Sequence, residues 1–328
     1  MLTKESHLKR NIFGKDIEMA PTRDGYGIGL VEVAEKNVNV VALSADLTES
    51  TRAAKFRDLY PDRFIQMGVA EQNMVTVAVG LALQGKIPFV STYAVFSPGR
   101  TWDQIRISVC YNNANVKLAG HHAGLSVGPD GATHQALEDL ALTRVLPRLT
   151  VLAPCDAEEA RKATHAAAAI KGPVYLRFSR EKSPVFTTAQ TPFTVGKARV
   201  LHDGKDAVII ACGPLVYEAL VAADRLVEKG ISVRVINMAS IKPMDEETVE
   251  RAARECRAVV TAEEHQVAGG LGGAVAETLA RSYPVPVEMV GMRDSFGESG
   301  QPEELWRKYR LNAAAMVDAV IKVIKRKH

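Results

Sequence analysis

The sequence predicts an α/β protein of two domains, each a mainly parallel sheet covered by helices. Two observations carry this. Short runs rich in β-branched residues alternate with helical patterns along nearly all of the 328 residues. The alternation breaks between 183 and 204, where prolines, threonines and glycines gather without helical spacing. The break divides the chain into a first domain over 1–185, a linker over 186–204 and a second domain over 205–328. A chain of this length can bury a core in each.

The elements follow in order. A buried strand is predicted over 38–43 and another over 64–68, which feeds an uncharged helix opening at Glu71 and stopping near Gly85. A third strand covers 87–90, helical spacing covers 102–111, and a strand over 116–119 runs into a loop over 121–133. A strand covers 149–153. Asp156, with Glu159 three residues on, reads as the cap and capping box of a helix that ends at Gly172-Pro173. A strand follows over 174–178. After the linker come strands over 207–211, 233–237, 258–261 and 285–290, and helices over 216–228, 245–256, 273–282 and 313–325.

Composition narrows the function classes. The net charge of +3 is too balanced to argue for nucleic acid or a membrane surface. No apolar run reaches the length of a membrane span, and the polar N-terminal stretch lacks a signal-peptide core. Cys110, Cys155, Cys212 and Cys256 lie far apart and read as buried thiols of a reducing compartment. The expected location is the cytoplasm. The basic end, 325–328, reads as a solvated helix terminus.

Glu71 is the most informative single residue. It is a lone carboxylate in the apolar stretch 64–83, where burial is costly unless a partner meets it. Such a group can hold or give a proton near neutral pH. By itself it also fits an ordinary acidic residue at a helix start. The loop 121–135 is the second strong feature. Gly124, Gly128 and Gly131 allow a tight path close to a ligand, and His121, His122, His134 and Asp130 offer donors, an acceptor and proton transfer. Their spacing matches no usual zinc pattern, so no metal is assigned to these residues.

Arg180 ends a predicted strand and presents a planar fork suited to phosphate, or to a surface ion pair with Glu181. Arg23 is equally open. Tyr93 and Phe96 follow a strand and suit either the core or a stacking wall for a flat heterocycle. The glycine-rich run 269–273 fits no nucleotide motif in spacing and reads as a helix-opening turn. The run 291–300 reads as a polar loop between domains or subunits.

Four segments taken in order resemble the transketolase family of thiamine-diphosphate enzymes. They are Ser44-Ala45-Asp46-Leu47-Thr48, the run 68–73, the run 128–135 and Ser295-Phe296-Gly297-Glu298-Ser299-Gly300. The likeness runs from about Ile17 onward and matches a pyrimidine-binding domain followed by the family's C-terminal domain. The resemblance implies that Glu71 hydrogen-bonds the pyrimidine ring nitrogen of thiamine diphosphate and favours its imino tautomer. It implies that Phe96, with Tyr93 nearby, stacks on the pyrimidine and that Asp46 lies at the cofactor edge of a subunit interface. Asp130 would contact a substrate hydroxyl, and His134 would stand beside the reacting carbons as a second catalytic residue. Arg23, Ser50, His122 and Arg180 would cradle the phosphate of a sugar.

One departure matters most. The family's Gly-Asp-Gly segment with its downstream Asn, which holds magnesium, is not found in the sequence; the fragment His202-Asp203-Gly204 lies in the wrong region. The chain therefore looks like the C-terminal subunit of a split transketolase. It would be active only with an N-terminal partner subunit that holds Mg2+, in an assembly expected to be a dimer of heterodimers. The expected reaction moves a two-carbon ketol group between ketose and aldose phosphates. The intact set of Glu71, Asp130, His134 and Arg180 speaks against a non-catalytic scaffold that kept the fold. His122 favours ketol transfer over a 1-deoxyxylulose-5-phosphate synthase, and a 2-oxo-acid dehydrogenase β-subunit is the other catalytic alternative. Both would also use thiamine diphosphate. The reading requires that Glu71 not be locked in an intrachain ion pair with no cleft before it.

Overall fold

Why these residues form parallel sheets is plain from their burial: nearly every residue of the central strands is inside, as in strands covered on both faces. The computed structural model describes residues 2–327. Met1 and His328, the outermost residues of the polar N-terminal stretch and of the basic end, lie outside the described residues.

After a single 3-10 turn at Lys4–Ser6 the chain forms β1 (Met19–Ala20), α1 (Thr22–Lys36), β2 (Val40–Ser44), α2 (Ala54–Leu59), β3 (Phe64–Gln66) and α3 (Glu71–Leu83). Next come β4 (Ile87–Tyr93), α4 (Trp102–Gln104), β5 (Lys117–His121), α5 (Asp139–Arg144), β6 (Thr150–Leu152), α6 (Ala157–Ala169) and β7 (Val174–Arg177). The remainder holds β8 (Ser183–Pro184), β9 (Arg199–His202), β10 (Ala207–Ala211), α7 (Leu215–Val227), β11 (Val233–Asn237) and β12 (Ser240–Lys242). It closes with α8 (Glu246–Cys256), β13 (Val259–Gln266), α9 (Leu271–Arg281), β14 (Val287–Met292), α10 (Pro302–Lys308) and α11 (Ala313–Ile324).

Two large sheets result. The first has strand order β12-β6-β7-β5-β4-β2-β3 and the second β14-β13-β10-β11-β9. All pairings are parallel except those of β12 and β9, which run antiparallel at one edge of each sheet. The predicted class is the observed one. All five residues of β2, of β5 and of β10 are buried. Among the described residues no helix is long and apolar enough to cross a membrane.

Strand β12 is the unexpected element. It belongs to the second half of the chain, yet it pairs with β6 of the first sheet, Ser240 opposite Leu152 and Lys242 opposite Val151. Within the stretch 186–204, β9 pairs with β11, and β8 just before it pairs with β1. Asp156 ties this stretch down. It caps α6 by accepting the Glu159 N–H at 2.9 Å, and its other oxygen accepts the Phe186 and Thr187 N–H groups at 2.9 and 2.7 Å. Glu159 accepts the Cys155 N–H at 2.7 Å, one residue ahead of a true capping box, and reaches Asn237 at 2.8 Å.

Helix α1 has no counterpart among the predicted elements. Gly25, Gly27 and Gly29 weaken its helical signal. They exist for packing: a Cβ on Gly25 would stand 1.8 Å from the Ala157 carbonyl oxygen, and one on Gly29 would stand 2.9 Å from Thr164 Cβ. Only bare backbone lets α1 lie this close to α6. Two strands begin two residues later than predicted. Val38 is 74% exposed, and the Asn39 N–H turns back to Asn37 Oδ1 at 2.9 Å, so β2 starts at Val40. Pro284 and Pro286 lack amide donors, so β14 starts at Val287.

The four cysteines are free and buried. The glycine-rich run opens α9, and its donors are used within the chain: Glu263 accepts the Leu271 and Gly272 N–H groups, each at 2.7 Å.

Candidate active site

Parallel strands direct their carboxyl ends to one edge of a sheet, and ligands bind there in such folds. In the seven-stranded sheet this edge receives Asp46 and Ser50 after β2, Glu71 after β3, and Tyr93 and Phe96 at and beyond the end of β4. His122 follows β5 and Arg180 follows β7. Arg23 lies in the first turn of α1, while Asp130 and His134 sit on the loop after β5.

Glu71 is 2% exposed at the start of α3. Its carboxyl is not free: Arg100 Nη1 donates to Oε2 at 2.9 Å. Arg100 itself is half-exposed, and its guanidinium lies 4.6 Å from the centre of the Phe96 ring. The Gln72 side chain donates to the Arg100 carbonyl at 3.1 Å and fixes its backbone. The second Glu71 oxygen has no hydrogen-bond partner among the described residues. The ion pair thus holds one side of the carboxylate and leaves the other.

Tyr93 and Phe96 stack with centroids 5.8 Å apart and planes 17° from parallel. They gather both histidines. Tyr93 meets His122 at 3.9 Å, and Phe96 and Tyr93 meet His134 edge-on at 5.6 and 6.2 Å. His134 Nδ1 is 2.9 Å from the Thr133 hydroxyl, which orients the ring.

Arg23 Nη1 donates to His122 Nε2 at 2.7 Å and to the Ser50 carbonyl at 2.9 Å. Arginine only donates, so His122 must accept at Nε2 and carry its proton at Nδ1. Burial, reinforced by Arg23, Arg180, Arg52 and His134, pushes His122 down to about 3. The ring is therefore neutral. Among the described residues His122 Nδ1 and Arg23 Nε are buried without hydrogen-bond partners, two unspent donors in one cluster. His122 also holds φ 52, a strained left-handed conformation of the kind found at ligand-binding positions.

Arg180 donates to the Val127 carbonyl at 2.6 Å and to Asp130 Oδ1 at 3.4 Å, so its partner is Asp130 and not the neighbouring Glu181. Ser50 enters the cluster through its carbonyl. Asp46 stands apart: it is exposed with φ 59, its N–H donates to Gln66 Oε1 at 2.9 Å, and no hydrogen bond or ring contact among the described residues joins it to the histidines. Arg100 and Arg52 are missing from the sequence-derived set. Arg100 had a signal, since it is the only charge between Lys86 and Asp103. Arg52 had none; it pairs with Asp24 at 2.6 Å beside Arg23. Among the described residues no group of three or more His, Cys, Asp or Glu side chains could hold a metal ion.

The chain has clear relatives. Residues 18–185 match the family described as transketolase, pyrimidine binding domain, and residues 196–316 match transketolase, C-terminal domain. A putative transketolase C-terminal section of Methanocaldococcus jannaschii is 42% identical over 307 residues, which cover 93% of this chain and 96% of that one. The 6-deoxy-6-sulfo-D-fructose transketolase subunit SqwH of a Clostridium species is 42% identical over 306 residues, covering 93% and 95%. A solved structure described as a split gene transketolase in an inactive β4 tetramer is 49% identical. It superposes with a TM-score of 0.89 and covers 94% of this chain and 99% of that one. This chain belongs to the transketolase family, of which it carries the pyrimidine-binding and C-terminal domains.

Proposed function

We propose that this chain forms the pyrimidine-facing half of a thiamine-diphosphate site and, with a partner subunit, transfers a two-carbon ketol group between ketose and aldose phosphates. The observation that carries the reading is the buried Glu71 carboxyl, linked to the Tyr93–Phe96 stack through Arg100, which lies over the Phe96 ring, with one oxygen unpartnered among the described residues. An acceptor next to a flat apolar wall fits a heterocycle that offers a ring N–H. When bound, thiamine diphosphate supplies the electron sink for carbon–carbon cleavage. Glu71 then holds the proton at the ring nitrogen, and Phe96 fixes the ring plane. His134, turned edge-on to both aromatics, exchanges hydrogen bonds or a proton with the reacting hydroxyl. Asp130 accepts from a second hydroxyl.

The anionic end of the sugar is assigned to Arg23, His122, Arg180 and the Ser50 turn. The two unpartnered donors, Arg23 Nε–H and His122 Nδ1–H, support this, because charge-assisted bonds to a dianion are the strong ones. One relative is named for a sulfonated ketose, so phosphate and sulfonate donors belong in the same assay. Asp46, outside the histidine cluster, is assigned to the cofactor edge facing the partner. The partner is proposed to carry the diphosphate-binding domain and Mg2+, in a dimer of heterodimers. The domains are set at 1–185 and 205–328 with the linker between them, and the four free, buried thiols suit a reducing cytoplasm.

Co-purification with native partners, followed by a ketol-transfer assay with added thiamine diphosphate and magnesium, tests the reading. The isolated chain is expected to bind the cofactor weakly and to turn over no ketose, and the complex is expected to do both. Activity with pyruvate but not with xylulose 5-phosphate would instead favour the deoxyxylulose-phosphate synthase or oxo-acid dehydrogenase type.

A further inference from the structure

The loop that bears Asp130 and His134 is gripped by the second half of the chain. Glu264, near the end of β13, is 1% exposed. Its Oε1 accepts the Ser126 N–H and the Trp306 indole N–H, the latter at 2.9 Å, and its Oε2 accepts the Ser126 hydroxyl at 3.2 Å. Burial pushes this carboxyl up, and the Trp306 and Ser126 donors work against that by favouring the ionised form, which only accepts. The Glu264 carbonyl takes an N–H of Arg177 at 2.8 Å, and Arg177 forks onto Asp139 at 2.8 and 3.1 Å. Gly124 makes room for this contact, since a Cβ there would stand 2.5 Å from the Glu264 carboxyl carbon.

The far end of the loop is held from the same side. Gln135 Nε2 donates to the Glu298 carbonyl at 3.0 Å, and Gly131 is so close to Ser299 that a Cβ would stand 2.5 Å from its hydroxyl oxygen. Asp130 and His134 lie between these two anchors. Within its own domain, the loop between Ser126 and Gln135 is met by Arg180 at Val127 and Asp130 and by the Tyr93 and Phe96 rings at His134.

We infer that Glu264 is a positioning residue: by holding Ser126 it sets where Asp130 and His134 meet the sugar. The inference rests on the roles proposed above for those two residues. Glu264 makes no hydrogen bond to either of them, so its effect must pass through the loop. A merely structural Glu264 would change stability and the fraction of active enzyme, but not substrate affinity per active site.

The experiment uses the complex reconstituted with its partner and begins with the unaltered chain. Absence of ketol transfer there would fail the functional reading itself, before any variant is made. Glu264→Gln keeps the shape and turns an amide N–H₂ toward donors. It is expected to raise the KM for the ketose donor about tenfold while the thiamine-diphosphate affinity stays within about twofold of the parent. Trp306→Phe removes a donor but leaves Ser126 held, and its KM is expected to stay near the parent value. Ser126→Ala, a mild change available if Glu264→Gln folds poorly, is expected to raise the same KM about threefold. An unchanged KM in both Glu264→Gln and Ser126→Ala, or a parallel loss of cofactor affinity, overturns the inference.

Discussion

Arg100 Nη1 sits 2.9 Å from Glu71 Oε2 with the guanidinium laid over the Phe96 ring. The pair joins the two side chains assigned to the cofactor's pyrimidine. A buried carboxylate with one oxygen anchored presents the other in a fixed direction. Arg100→Met removes the anchor and is expected to weaken thiamine-diphosphate binding by the complex about tenfold, the scale of one charge-assisted bond at a half-exposed position. Calorimetric titration reads this directly. Tighter binding would mean that Arg100 blocks the ring and does not orient the acid.

Glu71→Ala is expected to abolish cofactor activation and leave assembly with the partner intact. Turnover and size-exclusion chromatography of the same preparation separate the two effects. Near-normal turnover would refute the role assigned to this carboxyl.

Arg180→Ala should act mainly on phosphorylated donors. A charge-assisted contact to phosphate is worth roughly 1.5–3 kcal/mol, so KM should rise about tenfold or more with kcat little changed. Comparison with an unphosphorylated ketose decides the point, because equal losses on both sugars exclude a phosphate contact.

His122 predicts a pH dependence. Its folded value is pushed down to about 3 by burial and by the arginines around it, against an ordinary value of 6.5. Above 6.5 the ring is neutral in folded and unfolded chains, and stability is fully present. Below that, only the unfolded chain readily takes the proton, so stability falls as pH drops from 6.5 toward 3. Replacing His122 by Asn should flatten this limb in urea unfolding between pH 7 and 4. Identical slopes in both proteins would contradict the neutral, arginine-bonded ring.

Gly25→Ala places a methyl 1.8 Å from the Ala157 carbonyl and should cost about 3 kcal/mol by forcing α1 from α6. Gly80→Ala, in a helix position where an added methyl would meet no described residue within 4 Å beyond its own helix backbone and chain neighbours, should gain about 0.5–1 kcal/mol in the isolated chain. Thermal unfolding of the two variants checks the contrast.

The class of the fold and most strands of both sheets were readable because buried parallel strands are near-continuous β-branched runs. Tyr93, Phe96, His122 and His134 were readable as candidates because each follows a strand, and the structure gathers their rings. Helix α1 was not readable, because its glycines serve tertiary packing, Gly25 and Gly29 against α6 and Gly27 against Arg52, and not the helix itself. Arg100 stood out as a lone charge, but its contact with Glu71, like that of Glu264 with Ser126, stayed hidden for a related reason. Each acts on a residue far along the chain, 29 positions for Arg100 and 138 for Glu264, and local pattern carries no trace of such a contact. Asp156 was read correctly as the cap of α6, but Glu159 turns to the Cys155 N–H and does not close the box, and the partners Phe186 and Thr187 come from tertiary packing.

The antiparallel pairing of β12 with β6 bears on how this protein can be handled. A protease nick between the two domains should not free them, since one half lends its backbone to the other's sheet. Expression of residues 1–204 alone would strip that cover and bare the β6 rim, an open row of amides and carbonyls that invites aggregation.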